Sequence, residues 1–252
     1  MALTLATQAP DTPGSEALAQ PEIFASLQGE GPSAGKPVAF VRLSRCNLAC
    51  VWCDTAYTWH FEGDNRPHRA GETFDRKANQ VTLSPEEVAR RIAELRQSRL
   101  VITGGEPLLQ SSQLADMLEH LPDMAVEVET NGTVDPVARF DVRVEQYNVS
   151  PKLAHSGNAA DLALPEKMLD RWATDSRAVF KFVIGAPGDV EQVDALARKH
   201  AILPRRIWLM AEGTDSATLR EREQWLTPLC IERGYNLTDR LHIHLFGDTR
   251  GT

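Results

Sequence analysis

The stretch VAFVRLSRCNLACVWCDT, Val38–Thr55, joins an apolar run to a loop holding three of the chain's four cysteines. The β-branched and aromatic residues of VAFVRL (Val38–Leu43) predict a buried strand. Cys46, Cys50 and Cys53 follow it at C-x3-C-x2-C spacing, and Asp54-Thr55 closes the run. Cys230 lies far off in a helical pattern and reads as a small buried hydrophobe. Thiols this few and this crowded are not a disulfide scaffold; they fit a reducing compartment, with cytoplasm as the expected location. Two uses of the triplet stay open on spacing. One is a structural zinc site completed by a histidine such as His60 or His68. The other is a [4Fe–4S] cluster on three thiolates, with one iron left for a small molecule. Structural zinc sites more often show paired C-x2-C knuckles and four protein ligands, so the spacing favours the cluster.

Further strands are predicted at RLVIT (Arg99–Thr103), AVEVE, VEQYNVS, AVFKFVI, RIWLM and LHIHLF. Helical patterns fall between most of them, near Ser111–His120, Pro165–Ala173, Val190–His200 and Ala217–Arg233. SPEEVARRIAEL carries a helix start, with Ser84 as N-cap, Pro85 in the first turn and Glu87 three residues after the cap. This alternation predicts an α/β fold on a parallel sheet, an open or incompletely closed β/α barrel, with a doubly wound sheet as the alternative. In either, ligands sit at the carboxyl ends of the strands. The cysteine loop, Gly104-Gly105-Glu106, Thr130-Asn131-Gly132, Ser150-Pro151-Lys152 and Ala211-Glu212-Gly213 each follow a strand, so a parallel sheet brings them to one rim.

The chain's 252 residues suffice for one large domain, expected over 21–252. Residues 1–20, rich in Ala, Thr and Pro, are expected as a mobile leader without the marks of a secretory signal. Residues 60–80 are polar and breaker-rich, a loop or insertion. A net charge of −8 argues against nonspecific nucleic-acid or anionic-lipid partners. No apolar run approaches the roughly 20 residues of a membrane helix.

The cysteine triplet after a first strand, Trp52 before its last cysteine, and GGEP (Gly104–Pro107) after the next strand together resemble the radical S-adenosylmethionine superfamily. The resemblance implies a [4Fe–4S] cluster on Cys46, Cys50 and Cys53. It also implies S-adenosylmethionine chelated to the open iron, and a 5′-deoxyadenosyl radical that abstracts hydrogen. Gly104 and Gly105 would let backbone groups approach the methionine end closely. More narrowly, EIFASLQGEGPSAGKPVAFVRLSRCNLACVWCDT (Glu22–Thr55), TGGEP, ETNGT, SPK, KFVI, LMAEGT and HIHLFGDTRGT resemble the 7-carboxy-7-deazaguanine synthases, from about Pro21 to Thr252.

That family resemblance implies contraction of 6-carboxy-5,6,7,8-tetrahydropterin to 7-carboxy-7-deazaguanine with loss of ammonia, toward queuosine and other 7-deazapurines. It implies Mg2+ on Thr55, a low-potential donor of flavodoxin or ferredoxin type, and a homodimer. Trp52, Cys53, Asp54, Gly105, Glu106, Ser150, Pro151, Lys152, Leu209, Met210, Ala211 and Glu212 are implied at the S-adenosylmethionine site. Leu27, Gln28, Gly29, Glu30, Arg42, Thr103 and the terminal Thr252, through its carboxylate, are implied at the substrate. Gln28 and Glu30 suit a pterin's donor–acceptor edge, and Arg42 a two-point grip on the substrate carboxylate. No protein group is singled out as catalytic, the radical chemistry being the cofactor's.

Plainer readings stand beside these. Thr55 can cap a turn, Arg42 can form an ordinary charge pair, and Glu127 and Glu129 can occupy one strand face. His242 and His244 are read as a strand face rather than a metal pair. Two other function classes also stand. A glycyl-radical activase shares the cysteine spacing, but this chain has no second cysteine set and would leave Gln28–Gly31 without a task. A zinc-stabilised α/β binding protein would have no redox chemistry.

Overall fold

The computed structural model describes residues 1–8 and 19–252. Its strands are β1 (Leu3–Ala6), β2 (Ile23–Leu27), β3 (Pro37–Leu43), β4 (Gln80–Leu83), β5 (Arg99–Gly104), β6 (Ala125–Thr130), β7 (Gln146–Val149), β8 (Ala178–Ile184), β9 (Ile207–Ala211) and β10 (Asn236–Thr238). They lie in the order β10-β9-β8-β7-β6-β5-β3-β1-β4, with β2 also paired to β3, in one open sheet. From β3 through β10 the main path is parallel, while β1, β2 and β4 pair antiparallel. Sequential strands neighbour each other without the order reversal of a doubly wound sheet, so the expected incomplete β/α barrel is the architecture found.

The helices are α1 (Arg76–Asn79), α2 (Pro85–Glu94), α3 (Ser111–Glu119), α4 (Ala138–Asp141), α5 (Ala160–Ala163), α6 (Glu166–Thr174), α7 (Pro187–Lys199), α8 (Ser216–Arg233) and α9 (Leu241–Phe246). Ser84 caps α2 as expected, its Oγ accepting from the Glu87 N–H at 3.2 Å. None of the helices is long and apolar enough to cross a membrane.

Strand periodicity sorts the sheet into two faces. Val41, Leu43, Ile102, Val128, Phe180 and Leu209 belong to the main core with the apolar residues of the helices. The alternate residues Phe40, Arg42, Thr103, Glu129, Lys181 and Met210 line a cavity. Phe24 and Phe40 stack at 5.1 Å on that face.

Two expectations are corrected. Leu3–Ala6, placed in a mobile leader, form a buried strand between β3 and β4. Leu3 and Leu5 are fully buried, each worth about 2 kcal/mol of burial. The Gln110 amide exchanges hydrogen bonds with the Thr4 backbone at 2.7 and 2.9 Å. Residues 9–18 of the leader lie outside the described residues. LHIHLF, expected as a strand, is helix α9. Alternation over six residues is too short to exclude a helical turn, and Gly247 (φ 70°) stops it, donating to the Ile243 carbonyl at 3.0 Å.

Candidate active site

A cavity of about 380 Å³ opens at the carboxyl ends of the parallel strands, and the cysteine loop forms one wall. Cys46, Cys50, Trp52, Cys53, Asp54 and Thr55 all face it. So do Leu27, Gln28, Gly29, Glu30, Arg42 and Thr103, with Gly105, Ser150, Lys152, Met210 and Thr252. Thus all the residues implied for substrate share one chamber with Trp52, Cys53, Asp54, Gly105, Ser150, Lys152 and Met210 of those implied for S-adenosylmethionine.

Glu106, Pro151, Leu209, Ala211 and Glu212 do not line it. Leu209 and Ala211 point into the main core, the wrong parity for the cavity that Met210 faces. Glu212 is held by Arg69 and Arg222. Glu106 is fully buried and accepts from the backbone N–H groups of Leu108 (2.9 Å) and Asn131 (2.7 Å) and from the Thr130 hydroxyl (2.9 Å). Burial pushes its carboxyl up to about 7 against these bonds. It staples the turn after β5 to the turn after β6. Replacing it with Ala leaves three buried donors without an acceptor, so Glu106→Ala is expected to cost about 3 kcal/mol in urea denaturation.

The glycines before it serve backbone approach. A Cβ on Gly104 (φ 142°) would meet the Leu43 carbonyl oxygen at 2.1 Å, and one on Gly105 would meet that of Arg45 at 2.2 Å. These contacts press the turn after β5 against the entrance to the cysteine loop, where Gly105 N–H donates to Leu43 at 3.1 Å.

The cysteine loop is braced by amides that the sequence reading assigned no role. Asn158 Nδ2 donates to Cys50 Sγ at 3.3 Å and its Oδ1 accepts from Ala49 N–H at 2.9 Å, while Asn131 Nδ2 reaches Cys46 Sγ at 3.9 Å. All four cysteines are free. Burial pushes the Cys46 and Cys50 thiols up to about 12 and about 11. Cys53 rises for the same reason. Bare, the thiols stay protonated; a bound cation is what makes them thiolates.

The 60–80 loop packs against this wall. His68 Nε2 pairs with the Cys53 carbonyl at 2.8 Å and His60 Nδ1 with that of Glu72 at 2.6 Å. Neither histidine completes a metal set with the cysteines. Among the described residues, the one cluster of such groups within 4.8 Å is Glu223, Asp239 and His244, elsewhere in the fold. A structural zinc site takes four protein ligands, whereas a cluster can be held by three thiolates.

A charge network lines the same cavity. Glu30, implied at the substrate, is gripped by Lys181 and by Arg240 Nε at 3.2 Å. Burial pushes its carboxyl up, but Lys181, Arg240 and His242 outweigh this and hold it well below the usual range. Arg240 also reaches Asp54 and the Gly213 carbonyl, tying the loops after β2, β3 and β9 together. Gln28 Nε2 donates to Glu127 at 2.9 Å and Glu129 at 3.2 Å, and the Thr103 hydroxyl donates to Glu129 at 2.9 Å. Arg42 Nε donates to the fully buried Glu22 at 2.8 Å, and Tyr57 OH to the same carboxylate at 2.9 Å. Lys152 Nζ donates to Ser150 Oγ at 2.8 Å and sits 5.9 Å from the Trp52 ring.

The Radical SAM superfamily model matches residues 41–150, which run from the end of β3 through the cysteine loop to the end of β7. A 7-carboxy-7-deazaguanine synthase from Pyrobaculum aerophilum is 36% identical over 91% of this chain and 95% of its own. The chain belongs to the 7-carboxy-7-deazaguanine synthase family. The family's homologue from Rhodopirellula baltica is 32% identical over 92% of this chain and 87% of its own. The crystal structure of QueE from Escherichia coli superposes with a TM-score of 0.64 at 26% identity, covering 95% of both chains. Membership of the radical S-adenosylmethionine superfamily implies a [4Fe–4S] cluster and S-adenosylmethionine. The three unpaired thiols on one cavity wall, braced by side-chain amides, fit that cluster.

Proposed function

We propose that this synthase-family chain is a lyase that converts 6-carboxy-5,6,7,8-tetrahydropterin to 7-carboxy-7-deazaguanine, releasing ammonia, on the way to queuosine. The observation that carries this reading is the shared cavity, lined both by three thiols and by an ordered polar network. Cys46, Cys50 and Cys53 would hold the cluster, and Trp52, Asp54, Gly105, Ser150, Lys152 and Met210 would surround S-adenosylmethionine. Cluster and S-adenosylmethionine supply, when bound, the hydrogen-atom abstraction, with electrons from a low-potential donor. The chain's own groups bind and orient. Gln28, its N–H groups held by Glu127 and Glu129, would offer its amide oxygen to a heterocycle edge, and Glu30 stays ionised between Lys181 and Arg240. Closing a pterin into the cavity strengthens these contacts by excluding water.

Thr55 is the proposed Mg2+ ligand. It precedes a short helical turn at Ala56–Thr58 without capping it by a side-chain hydrogen bond, and its hydroxyl lies 3.6 Å from Cys53 Sγ. That leaves the hydroxyl oxygen for a hard cation, which completes its shell with substrate or water. Thr55→Ala is expected to spare iron content while raising the Mg2+ needed for half-maximal turnover by roughly 10–100-fold; an unchanged Mg2+ titration would remove the assignment.

The whole reading is tested by anaerobic reconstitution with iron and sulfide. Carboxytetrahydropterin, S-adenosylmethionine, Mg2+ and a low-potential reductant are then supplied. The expected result is formation of 7-carboxy-7-deazaguanine. Accumulation of 5′-deoxyadenosine without that product would refute the substrate, and a colourless protein with one zinc would refute the radical chemistry.

A further inference from the structure

Arg250 lines the cavity in a corner where the neighbouring arginine is already committed. Arg42 gives its Nε edge to Glu22, and Arg240 divides itself between Glu30 and Asp54. Among the described residues Arg250 has no ion pair, and its one side-chain hydrogen bond runs from Nη1 to Asn79 Oδ1 at 2.8 Å. Its guanidinium carbon lies 3.6 Å from the Tyr57 ring centroid and 5.5 Å from that of Phe74. Aromatic packing covers a guanidinium's face and leaves its in-plane N–H groups to meet an anion. Tyr57 also bonds Glu22, the partner of Arg42, so the two arginines flank one wall. Burial, together with the nearby charge of Arg42, pushes Arg250 below its ordinary value. An anion between the two cations would offset both effects.

With its Nε edge on Glu22, Arg42 cannot grip a carboxylate alone through the Nε–Nη fork. We propose that Arg250 completes the grip: Arg250 and Arg42 together take the carboxylate of the substrate, making Arg250 a specificity-determining residue for carboxylated over plain pterins. The inference rests on the carboxypterin reading above. A planar anion suits it, because each arginine presents a planar donor edge.

The test compares two unreactive ligands, 6-carboxypterin and pterin, titrated against the reconstituted enzyme with S-adenosylmethionine present. Wild-type enzyme is expected to prefer 6-carboxypterin. Arg250→Gln is expected to weaken 6-carboxypterin by roughly tenfold, with pterin binding unchanged. Equal weakening of both ligands, or none of 6-carboxypterin, overturns the role of Arg250. A wild-type enzyme without the preference would instead overturn the substrate reading. Arg250→Lys keeps the charge, covers the case in which the glutamine variant does not fold, and is expected to lose roughly threefold on 6-carboxypterin alone. Full retention of that affinity would count against the fork.

Discussion

Replacing Cys46, Cys50 or Cys53 with Ala is expected to abolish both iron binding and turnover while leaving the fold intact. Each thiol lies on the same cavity wall, and no other cysteine is at hand, since Cys230 sits in α8 as part of the main core. A cluster that already leaves one iron to S-adenosylmethionine has no protein ligand to spare. The fold survives because the loop is fastened by groups other than sulfur. Val51 N–H donates to Ser156 at 2.9 Å, Arg69 N–H donates to Val51 at 2.7 Å, and Asn158 holds Ala49 at 2.9 Å. Iron and sulfide analysis, the low-temperature spectrum of the reduced cluster and urea denaturation check the three parts. Cys230→Ala is the control, expected to keep full iron content and to lose about 1–2 kcal/mol of stability from the core. A single-cysteine variant that retained iron and turnover would be incompatible with a three-thiolate site.

The second large effect is expected at Lys181. Lys181→Met removes one of the two cations on buried Glu30 and is expected to destabilise the protein by about 3–5 kcal/mol at about pH 8. The direction of the Glu30 shift gives the pH dependence. Its folded-state carboxyl is held below the ordinary glutamate value of 4.5, so in the wild type it adds stability above that pH and loses it as pH falls further. Without Lys181 the folded-state carboxyl moves up, because burial is then opposed only by Arg240 and His242. The variant's deficit is therefore full at neutral and alkaline pH and shrinks as pH falls toward about 4 and below, where the variant's Glu30 takes up its proton before the wild type's does. Glu30→Gln in the Lys181→Met background is expected to recover most of the loss, because the uncompensated charge is gone. Denaturation curves at both pH values decide this; a pH-independent deficit would show that Lys181 contributes packing rather than charge.

Much of this was legible in the sequence because strand parity is a strong constraint. Alternation in VAFVRL, AVEVE and AVFKFVI separates core residues from Arg42, Glu127, Glu129 and Lys181 before any fold is known. It does not say whether the polar face meets solvent or a cavity. Glu127 and Glu129 therefore read equally well as a plain strand face, yet Glu127 is fully buried among Gln28, Ser33 and Asn148. Arg240 gave no local signal, since its partner Glu30 is 210 positions away and its role exists only once the loops meet. Asn158 bonds a sulfur 108 positions earlier and is equally silent. Glu106 was assigned to the cofactor because a motif records spacing but not the direction a side chain takes.

The buried first strand bears on how the chain folds. Leu3–Ala6 emerge from the ribosome well before their partners, with Gln110 following Thr4 by 106 positions. Until β3 and β4 are made, an apolar strand waits with both edges unpaired, the condition that invites aggregation. Contacts this distant in sequence also slow folding, because a long loop must close before they form. A strand made well before its partners is thus among the last segments to be secured. By filling the gap between β3 and β4, it also anchors the far end of the loop that packs against the cysteine loop.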